Sequence, residues 1–278
     1  MCNQKFVNHI AGVIFLAALA FCGSMPVQAQ QRGDASLPSV TSVRVMTYNI
    51  HHGRGGDDNV DLTRIAEVIK VARPDIVALQ EVDDKTQRTG RVDQTAQLAR
   101  LVGMTGKFVH QIDYEGGRYG QAILSKFPIS NLEVNWLPGV PDRQRRIAGS
   151  VTIDLGSQKL LFITTHLHHA DDAIRQLQAE QLNTIFASAE SGNQTVVLAG
   201  DLNATPQSET VRVLSGRWMS ATAGRLDALT YPASSPVSQL DYVLYLPREK
   251  VEVIASEVID EADASDHRPL VVELLLRQ

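Results

Sequence analysis

Short apolar runs rich in β-branched residues recur along the chain from residue 43 onward, and most are bounded by glycine, proline or acidic residues. Such runs predict β-strands, which are expected at residues 43–50, 76–79, 107–112, 119–125, 129–137, 146–155, 159–166, 195–199, 239–246, 251–258 and 269–275. Apolar residues at helical spacing predict helices at 62–72, after the capping residue Asp61, and at 93–102 and 171–189. So many adjacent strands argue against a Rossmann sheet and favour two sheets packed face to face, with helices outside.

Residues 1–29 have the composition of an export signal. Lys5 is the only charged residue in this stretch, the apolar run at 10–20 is too short for a stable membrane span, and Val27-Gln28-Ala29 is a small-x-small cleavage site. We therefore predict a signal peptide at 1–29, a flexible leader at 30–41 and one domain at 42–278, exported to the periplasm or secreted. An uncleaved anchor is the weaker alternative. Both cysteines lie in the signal, so the exported domain is expected to fold without disulfides.

The charge of the chain and the length of its apolar runs indicate which kinds of partner it binds. The chain has 26 basic and 31 acidic residues, a formal charge of −5, and loss of Lys5 with the signal makes the balance one unit more acidic. A protein that follows a nucleic-acid backbone usually presents a basic face, so nucleic acid is allowed as a partner but is not favoured. No run after the signal approaches membrane length, and we expect a monomer without a transmembrane segment.

Polar residues stand at the ends of several predicted strands. Asp201 and Asn203 follow the strand at 195–199, and side chains two residues apart on an extended chain face the same way. An acid beside an amide could move a proton and bind an oxyanion, although an Asx turn explains many such pairs. Other strand ends carry the following polar residues: Asn49, Glu81, His166, Asp241, Asp266 and His267. Each alone could be a cap, an ion-pair partner or a hydrogen-bonded core residue, but their recurrence favours a shared site.

Seven short motifs occur in the order of a known superfamily: TYNI (47–50), QE (80–81), YGQAILS (119–125), TTHL (164–167), GDLNATP (200–206), LDYVL (240–244) and SDHRPL (265–270). With them the chain resembles the endonuclease/exonuclease/phosphatase superfamily, which has the DNase I-like fold. GDLN and SDH together are specific, whereas TYNI or QE alone would be weak. The resemblance implies an α/β fold, a four-layer α/β/β/α sandwich of two mixed sheets, and metal-dependent cleavage of phosphoester bonds.

The resemblance also implies roles for individual residues. Glu81 corresponds to the principal Mg²⁺ ligand, with Asn49 and Asp266 beside it, and a hard cation of this kind prefers oxygen ligands. His267 matches the catalytic histidine and Asp241 the carboxylate that orients it, so that His267 either activates water or stabilises charge. Asp201 would position or deprotonate the attacking water, while Asn203 and His166 would contact phosphoryl oxygens.

Four further residues are weaker candidates for substrate contact. His51 follows the first strand, and His168 occupies a place where relatives commonly have a carboxylate. Such histidines could also bind a softer ion such as Mn²⁺, or simply be exposed loop residues. In the basic run of Arg143, Arg145 and Arg146, only Arg146 begins a strand, so it is the one favoured to reach a phosphate. Tyr119 lines the pocket or belongs to the core.

These observations predict an exported Mg²⁺-dependent phosphoesterase that acts on a phosphodiester or phosphomonoester, small or headgroup-like. A secreted endonuclease or exonuclease acting on DNA or RNA is the close alternative, because one catalytic constellation serves many substrates. A second alternative is a catalytically silent binding module, although a module that only binds has no need of a histidine with its orienting acid. A purely structural protein would need Asp201 for stability rather than for turnover.

Overall fold

A computed structural model describes residues 40–139, 145–188 and 194–277, and within these ranges twelve strands form two six-stranded sheets. The first sheet contains β1 (Val40–Asn49), β2 (Ile76–Asp84), β3 (Thr105–Tyr114), β4 (Gly117–Ser125), β11 (Val251–Val258) and β12 (Leu270–Arg277), in the order β11-β12-β1-β2-β4-β3. The second sheet contains β5 (Ile129–Trp136), β6 (Ile147–Asp154), β7 (Lys159–His166), β8 (Thr195–Asp201), β9 (Met219–Ser220) and β10 (Asp241–Leu246), in the order β5-β6-β7-β8-β10-β9. Both sheets are mixed, because β1 pairs in parallel with β2 and β7 with β8.

Four α-helices in the described ranges cover the outer faces of the sheets. They are α1 (Leu62–Ala72), α2 (Gln94–Val102), α3 (Asp172–Ile185) and α4 (Glu209–Ser215). The side chains of Asp61, Asp93, Asp171 and Ser208 accept backbone N–H groups at the helix starts, which satisfies donors that have no partner within the helix.

Three layers of apolar packing hold the sandwich together. Between the sheets, Val45 of the first sheet belongs to the same buried cluster as Phe162 and Val197 of the second. The apolar faces of α1 and α2 pack on the first sheet, and those of α3 and α4 pack on the second. The order of layers is therefore helix, sheet, sheet, helix, which confirms the predicted four-layer α/β/β/α sandwich.

The ends of the domain differ in detail from the prediction. β1 begins at Val40, and its first residues pair with Arg277 and Leu276 of β12, so residues 40 and 41 belong to the sheet rather than to a leader. The predicted signal peptide at 1–29 and the rest of the leader lie outside the described residues. None of the helices that the structure describes is long and apolar enough to span a membrane.

The parallel strand pairs β1–β2 and β7–β8 bring polar residues together at one edge of the sandwich. Asn49 at the end of β1 lies in register with Gln80 of β2, and His166 at the end of β7 lies in register with Asp201 of β8. Asp201 is also opposite Asp241, the first residue of the antiparallel strand β10. The carboxyl ends of four strands from two facing sheets therefore meet at one edge of the sandwich.

Candidate active site

Asn49 and Asp201 connect the two sheets at this edge. The Nδ2 atom of Asn49 donates to Oδ2 of Asp201 at 3.1 Å and to Oε1 of Glu81 at 3.2 Å. Asn49 and Asp201 are both almost completely buried. Residues far apart in sequence are thus joined into one polar cluster beneath the surface.

His267 and Asp241 form a buried pair beside this cluster. The Nδ1 atom of His267 lies 2.8 Å from Oδ2 of Asp241, and its Nε2 atom lies 3.8 Å from Oδ2 of Asp201. Ser265 fixes the preceding loop, because its hydroxyl donates to the carbonyl oxygen of Asn49 at 2.7 Å. Burial lowers the pKa of His267, but the charges of Asp241 and Asp201 outweigh it and raise the pKa to about 10. The raised pKa favours the protonated, cationic form of the His267 imidazole.

Asp201 is a buried carboxylate whose oxygens are both engaged. Oδ1 accepts the backbone N–H of Asn203 at 2.8 Å, while Oδ2 faces Asn49 and His267. Burial raises the pKa of Asp201 above its usual value, and the positive charge of His267 only partly offsets this. Asn203 adopts a positive φ of 48°, which asparagine tolerates, and its Nδ2 donates to the carbonyl oxygen of Leu167 at 3.1 Å.

The tautomer of His166 follows from its neighbour Arg146. Nη1 of Arg146 lies 3.2 Å from Nδ1 of His166, and a guanidinium can only donate, so Nδ1 is the acceptor. Burial and the charge of Arg146 lower the pKa of His166 well below its usual range, and the ring is neutral. The proton of the neutral ring is therefore on Nε2, which faces Oδ2 of Asp201 at 3.5 Å.

Glu81 is turned toward the site by an irregularity in β2. The pairing of β2 with β4 shifts register between Leu79 and Val82, and Glu81 has a φ of 57° at this bulge. Asp266, which is about half exposed, marks the rim, with Oδ1 3.8 Å from Nδ1 of His51.

Two groups of side chains bring possible metal-ligand atoms close together, and the first of them would bind a cation only with His267 unprotonated. In one, Asp201, Asp241 and His267 each offer a donor atom within 4.8 Å of the others, and Oδ1 of Asp241 is buried without a hydrogen-bond partner among the described residues. In the other, donor atoms of His51, His52 and Glu81 lie within the same distance of one another. Carboxylate oxygens suit Mg²⁺, and added imidazoles suit Mn²⁺ or other transition ions.

Tyr231 and His52, the second histidine of the pair that follows the first strand, also belong to this region. His52 is buried, and burial lowers its pKa to about 4, so its imidazole is neutral and able to bind a metal. The ring of Tyr231 lies 4.9 Å from that of His267 and covers it. Sequence reasoning already considered the pair His51-His52 for substrate or metal contact, but it missed Tyr231, which lies in a polar, proline-containing segment without any motif.

The weaker candidates separate into residues inside and outside the cluster. Arg146 is buried against His166, whereas Arg145 is exposed and stacks over Trp136 at 4.7 Å. Arg143 lies outside the described residues. The Nδ1 atom of His168 accepts the backbone N–H groups of Ala170 and Asp171, which fixes the turn before α3. Tyr119 is buried near Arg146 and Glu81.

A buried polar network joins the two sheets directly under the site. Gln80 accepts from Thr47 at 3.2 Å and donates to the hydroxyl of Thr164 at 3.4 Å. Thr164 donates to Gln121 at 2.9 Å, and Gln121 donates to the carbonyl oxygen of Ile147 at 3.3 Å. Polar groups in a sheet interface are tolerated when each has a partner, so this chain fixes the relative position of the strands that carry the site.

We expect Thr164→Val to lower the free energy of unfolding by about 1–3 kcal/mol, because Gln80 and Gln121 would each lose a buried partner. Thr195→Val is the matched control, since the hydroxyl of Thr195 is buried and has no hydrogen-bond partner within the described residues. That control should be neutral or stabilising. Urea unfolding of the three proteins measures the difference. Equal effects at the two threonines would contradict a special role of the network.

Comparisons with known proteins agree with the fold. The sequence pattern of the Endonuclease/Exonuclease/phosphatase family matches residues 46–267. The crystal structure of an endonuclease/exonuclease/phosphatase from Beutenbergia cavernae is 25% identical, with a TM-score of 0.67 over 85% of this chain and 72% of that chain. A mannosyl-6-phosphatase from Bacteroides thetaiotaomicron is 19% identical, with a TM-score of 0.68 over 84% of this chain and 99% of that chain.

The catalytic domain of human Nocturnin is also 19% identical, with a TM-score of 0.62 over 85% of this chain and 97% of that chain. A search of curated proteins gives no match. The family match runs from β1 to His267 and so includes every strand end that contributes to the polar cluster. The chain therefore belongs to the endonuclease/exonuclease/phosphatase family, whose members are hydrolases that act on phosphoesters.

Proposed function

We propose that this chain is an exported, monomeric Mg²⁺-dependent phosphoesterase that hydrolyses a small or headgroup-like phosphate ester. The observation that carries the proposal is the His267–Asp241 pair, which faces the buried carboxylate of Asp201 across 3.8 Å. The attack of water on a phosphoester needs a general base, a fixed cation and amide donors close together.

In the proposed reaction Asp201 accepts the proton of the attacking water. Burial raises the pKa of this carboxylate, and a base with a pKa nearer neutrality takes up a proton more readily. His267 acts as a cation that stabilises the charge on the phosphoryl oxygens, because the pKa raised by Asp241 keeps it protonated at neutral pH. The amide of Asn203 and the Nε2–H of His166 contribute further hydrogen bonds to those oxygens.

Glu81, Asn49 and Asp266 are the residues proposed to hold Mg²⁺. The bound ion supplies positive charge that offsets the negative charge of the phosphoryl group and its leaving oxygen. Asn49 donates its amide N–H groups to Glu81 and Asp201, and its carbonyl oxygen, which accepts the backbone N–H of His51 at 3.1 Å, is the atom it would offer to the ion. His51 and His52 beside Glu81 favour Mn²⁺ as the alternative ion.

The charge of the chain favours a small ester over a nucleic acid as the substrate, and the name of one relative supports this choice. The formal charge of −5 does not attract a polyanionic backbone. The Bacteroides thetaiotaomicron relative is a mannosyl-6-phosphatase, a protein named for a small sugar phosphate.

A hydrolysis panel tests the proposal. The domain from residue 30 onward is assayed with Mg²⁺, with Mn²⁺ and after EDTA, on bis-nitrophenyl phosphate, nitrophenyl phosphate, sugar and inositol phosphates, sphingomyelin, plasmid DNA and RNA. The His267→Ala variant serves as the blank. We expect metal-dependent hydrolysis of small esters above that blank. Cleavage of DNA or RNA alone would make the chain a secreted nuclease, and inactivity on every substrate would favour a silent binding module.

Arg146 offers a sharper kinetic test of phosphate binding. Its Nη1 atom holds Nδ1 of His166, while its Nε atom is buried without a hydrogen-bond partner in the described chain. We expect Arg146→Met to raise KM by about 10-fold, as for loss of one hydrogen bond to a charged group, and to lower kcat less. Arg145→Met is the matched control, since Arg145 is exposed on Trp136 and should not matter. Equal kinetics in both variants would remove Arg146 from substrate binding.

A further inference from the structure

A pocket of about 330 Å³ opens beside Glu81. Its other lining residues are Arg88 from the loop after β2, Ile112 and Tyr114 from β3, and Tyr119 from β4. Since Glu81 also bonds to Asn49 at 3.2 Å, the pocket borders the polar cluster of the candidate active site. A substrate whose phosphate lies at that cluster can therefore extend into this pocket.

The positive charge of Arg88 is already neutralised within the fold. Its Nε and Nη2 atoms donate to the two carboxylate oxygens of Asp83 at 2.8 Å each, and Asp83 is completely buried. A bidentate pair of this kind holds the guanidinium in place and satisfies its charge. With Arg88 paired in this way and no other basic residue among the described lining residues, the pocket does not suit a second phosphate or another anion.

Two tyrosines and an isoleucine line the rest of the pocket. The rings of Tyr114 and Tyr119 meet edge to face, with centroids 6.4 Å apart. The guanidinium of Arg88 lies over both rings, 4.8 Å from the centroid of Tyr114 and 5.6 Å from that of Tyr119, and so fixes their orientation. Tyr119 is buried, but Tyr114 is 38% exposed, so part of its ring is accessible to a ligand.

We propose that this pocket binds an uncharged ring in the alcohol part of the substrate, stacked against Tyr114, while the phosphate lies at the polar cluster of the candidate active site. The volume is at the lower limit of small-molecule pockets and fits one ring rather than a polymer. Tyrosine and isoleucine walls bind the apolar face of such a ring, and rigid aromatic side chains do so with little loss of entropy. This inference rests on the proposed phosphoesterase function and adds its substrate class, a phosphate ester of a ring alcohol.

The ring can be a sugar or a planar aromatic group, and the experiment distinguishes them. Hexose, nucleoside and glycerol esters are compared, all as monoesters or all as diesters, according to which type the wild-type chain cleaves. We expect a lower KM for one of the two ring esters than for the acyclic glycerol ester. Tyr114→Ala should raise the KM of that ring ester by about 10-fold, the size of a typical stacking contribution, and leave the glycerol ester unchanged. Tyr114→Phe keeps the ring and should behave as the wild type, with circular dichroism as the check on folding.

A binding measurement separates this inference from the proposed function. Saturation-transfer NMR detects glucose or adenosine, which are ring alcohols without phosphate, on the wild-type and Tyr114→Ala chains. Equal KM values for ring and acyclic esters, together with no effect of Tyr114→Ala, would overturn the pocket inference and leave the phosphoesterase intact. Ring binding that depends on Tyr114 without any hydrolysis would support the pocket and overturn the proposed function. Absence of both ring binding and hydrolysis would overturn both.

Discussion

The His267→Ala variant should lose at least about 10³-fold in turnover while remaining folded. The imidazole is held by Asp241 at 2.8 Å and directs Nε2 toward Asp201, so its position and its charge are fixed at that point. A fixed cation in a buried site stabilises developing negative charge much more strongly than water can, and truncation to alanine removes it entirely. The measurement is kcat on the best substrate of the hydrolysis panel, with circular dichroism and urea unfolding to establish that the fold is intact.

His110→Ala is a suitable control for this variant. His110 is an exposed histidine of β3 that pairs with Asp113 at 3.1 Å and does not belong to the polar cluster. Its removal should leave kcat within about 2-fold, as is usual for surface substitutions with small energetic effects. A His267→Ala chain that turns over as fast as the His110→Ala chain would show that His267 takes no part in the chemistry.

The layered fold could be predicted from the sequence because its main strands are buried on both faces. Runs such as residues 76–79 and 196–199 are continuously apolar and bounded by polar residues or glycine, which is the pattern of an interior strand. Two elements were missed. α4 has only seven residues, and β9 has only two, so neither carries enough periodicity to be recognised. Ser208 before α4 was a readable cap, but a cap without an apolar pattern is weak evidence.

The location of the site was also predictable, since polar residues that end neighbouring strands must meet at one edge of a sheet. The orientation of individual side chains was not. Glu81 faces the site only because a bulge interrupts β2, and nothing in the local sequence indicates that bulge. Arg145 and Arg146 are adjacent in sequence, yet one stacks on Trp136 at the surface and the other reaches His166 in the interior. Both residues precede β6, which begins at Ile147, so strand alternation could not assign their directions.

The residues around Arg88 show a second limit of sequence reasoning. Arg88, Tyr114 and Tyr119 come from three separate segments, and their contact depends on how the β3–β4 hairpin lies beside the loop after β2. The inter-sheet pair of Gln80 and Thr164 is similar, because each residue alone looks like an ordinary strand position. Such relationships arise from tertiary packing, which a single sequence does not encode as a local pattern.

Asp201→Asn should lower turnover by about 10²–10⁴-fold, the range expected for loss of a general base. Its effect on stability distinguishes a catalytic from a structural carboxylate. Burial raises the pKa of Asp201 above the ordinary value of 3.8 to about 7. A group with a raised pKa contributes stability that is present below its unfolded pKa and is lost as the pH rises through its folded pKa. The wild-type chain therefore loses this contribution between about pH 4 and pH 7, whereas the uncharged amide of the variant does not titrate.

The Asp201→Asn variant should thus gain stability relative to the wild type as the pH rises from 5 to 8. The difference in the free energy of unfolding, variant minus wild type, is expected to be larger at pH 8 than at pH 5. Urea unfolding in EDTA at the two pH values measures this difference, and kcat of the same preparations measures the loss of turnover. Asp171→Asn is the control, because Asp171 caps α3 at the surface and asparagine is an equally good cap. A variant at position 201 that is less stable at pH 8 than at pH 5, relative to the wild type, would mean that the charge of Asp201 holds the fold together. In that case the buried cluster would be a structural ion-pair network that stabilises the fold. Asp201 would then not be a catalytic base whose burial lowers the stability of the chain.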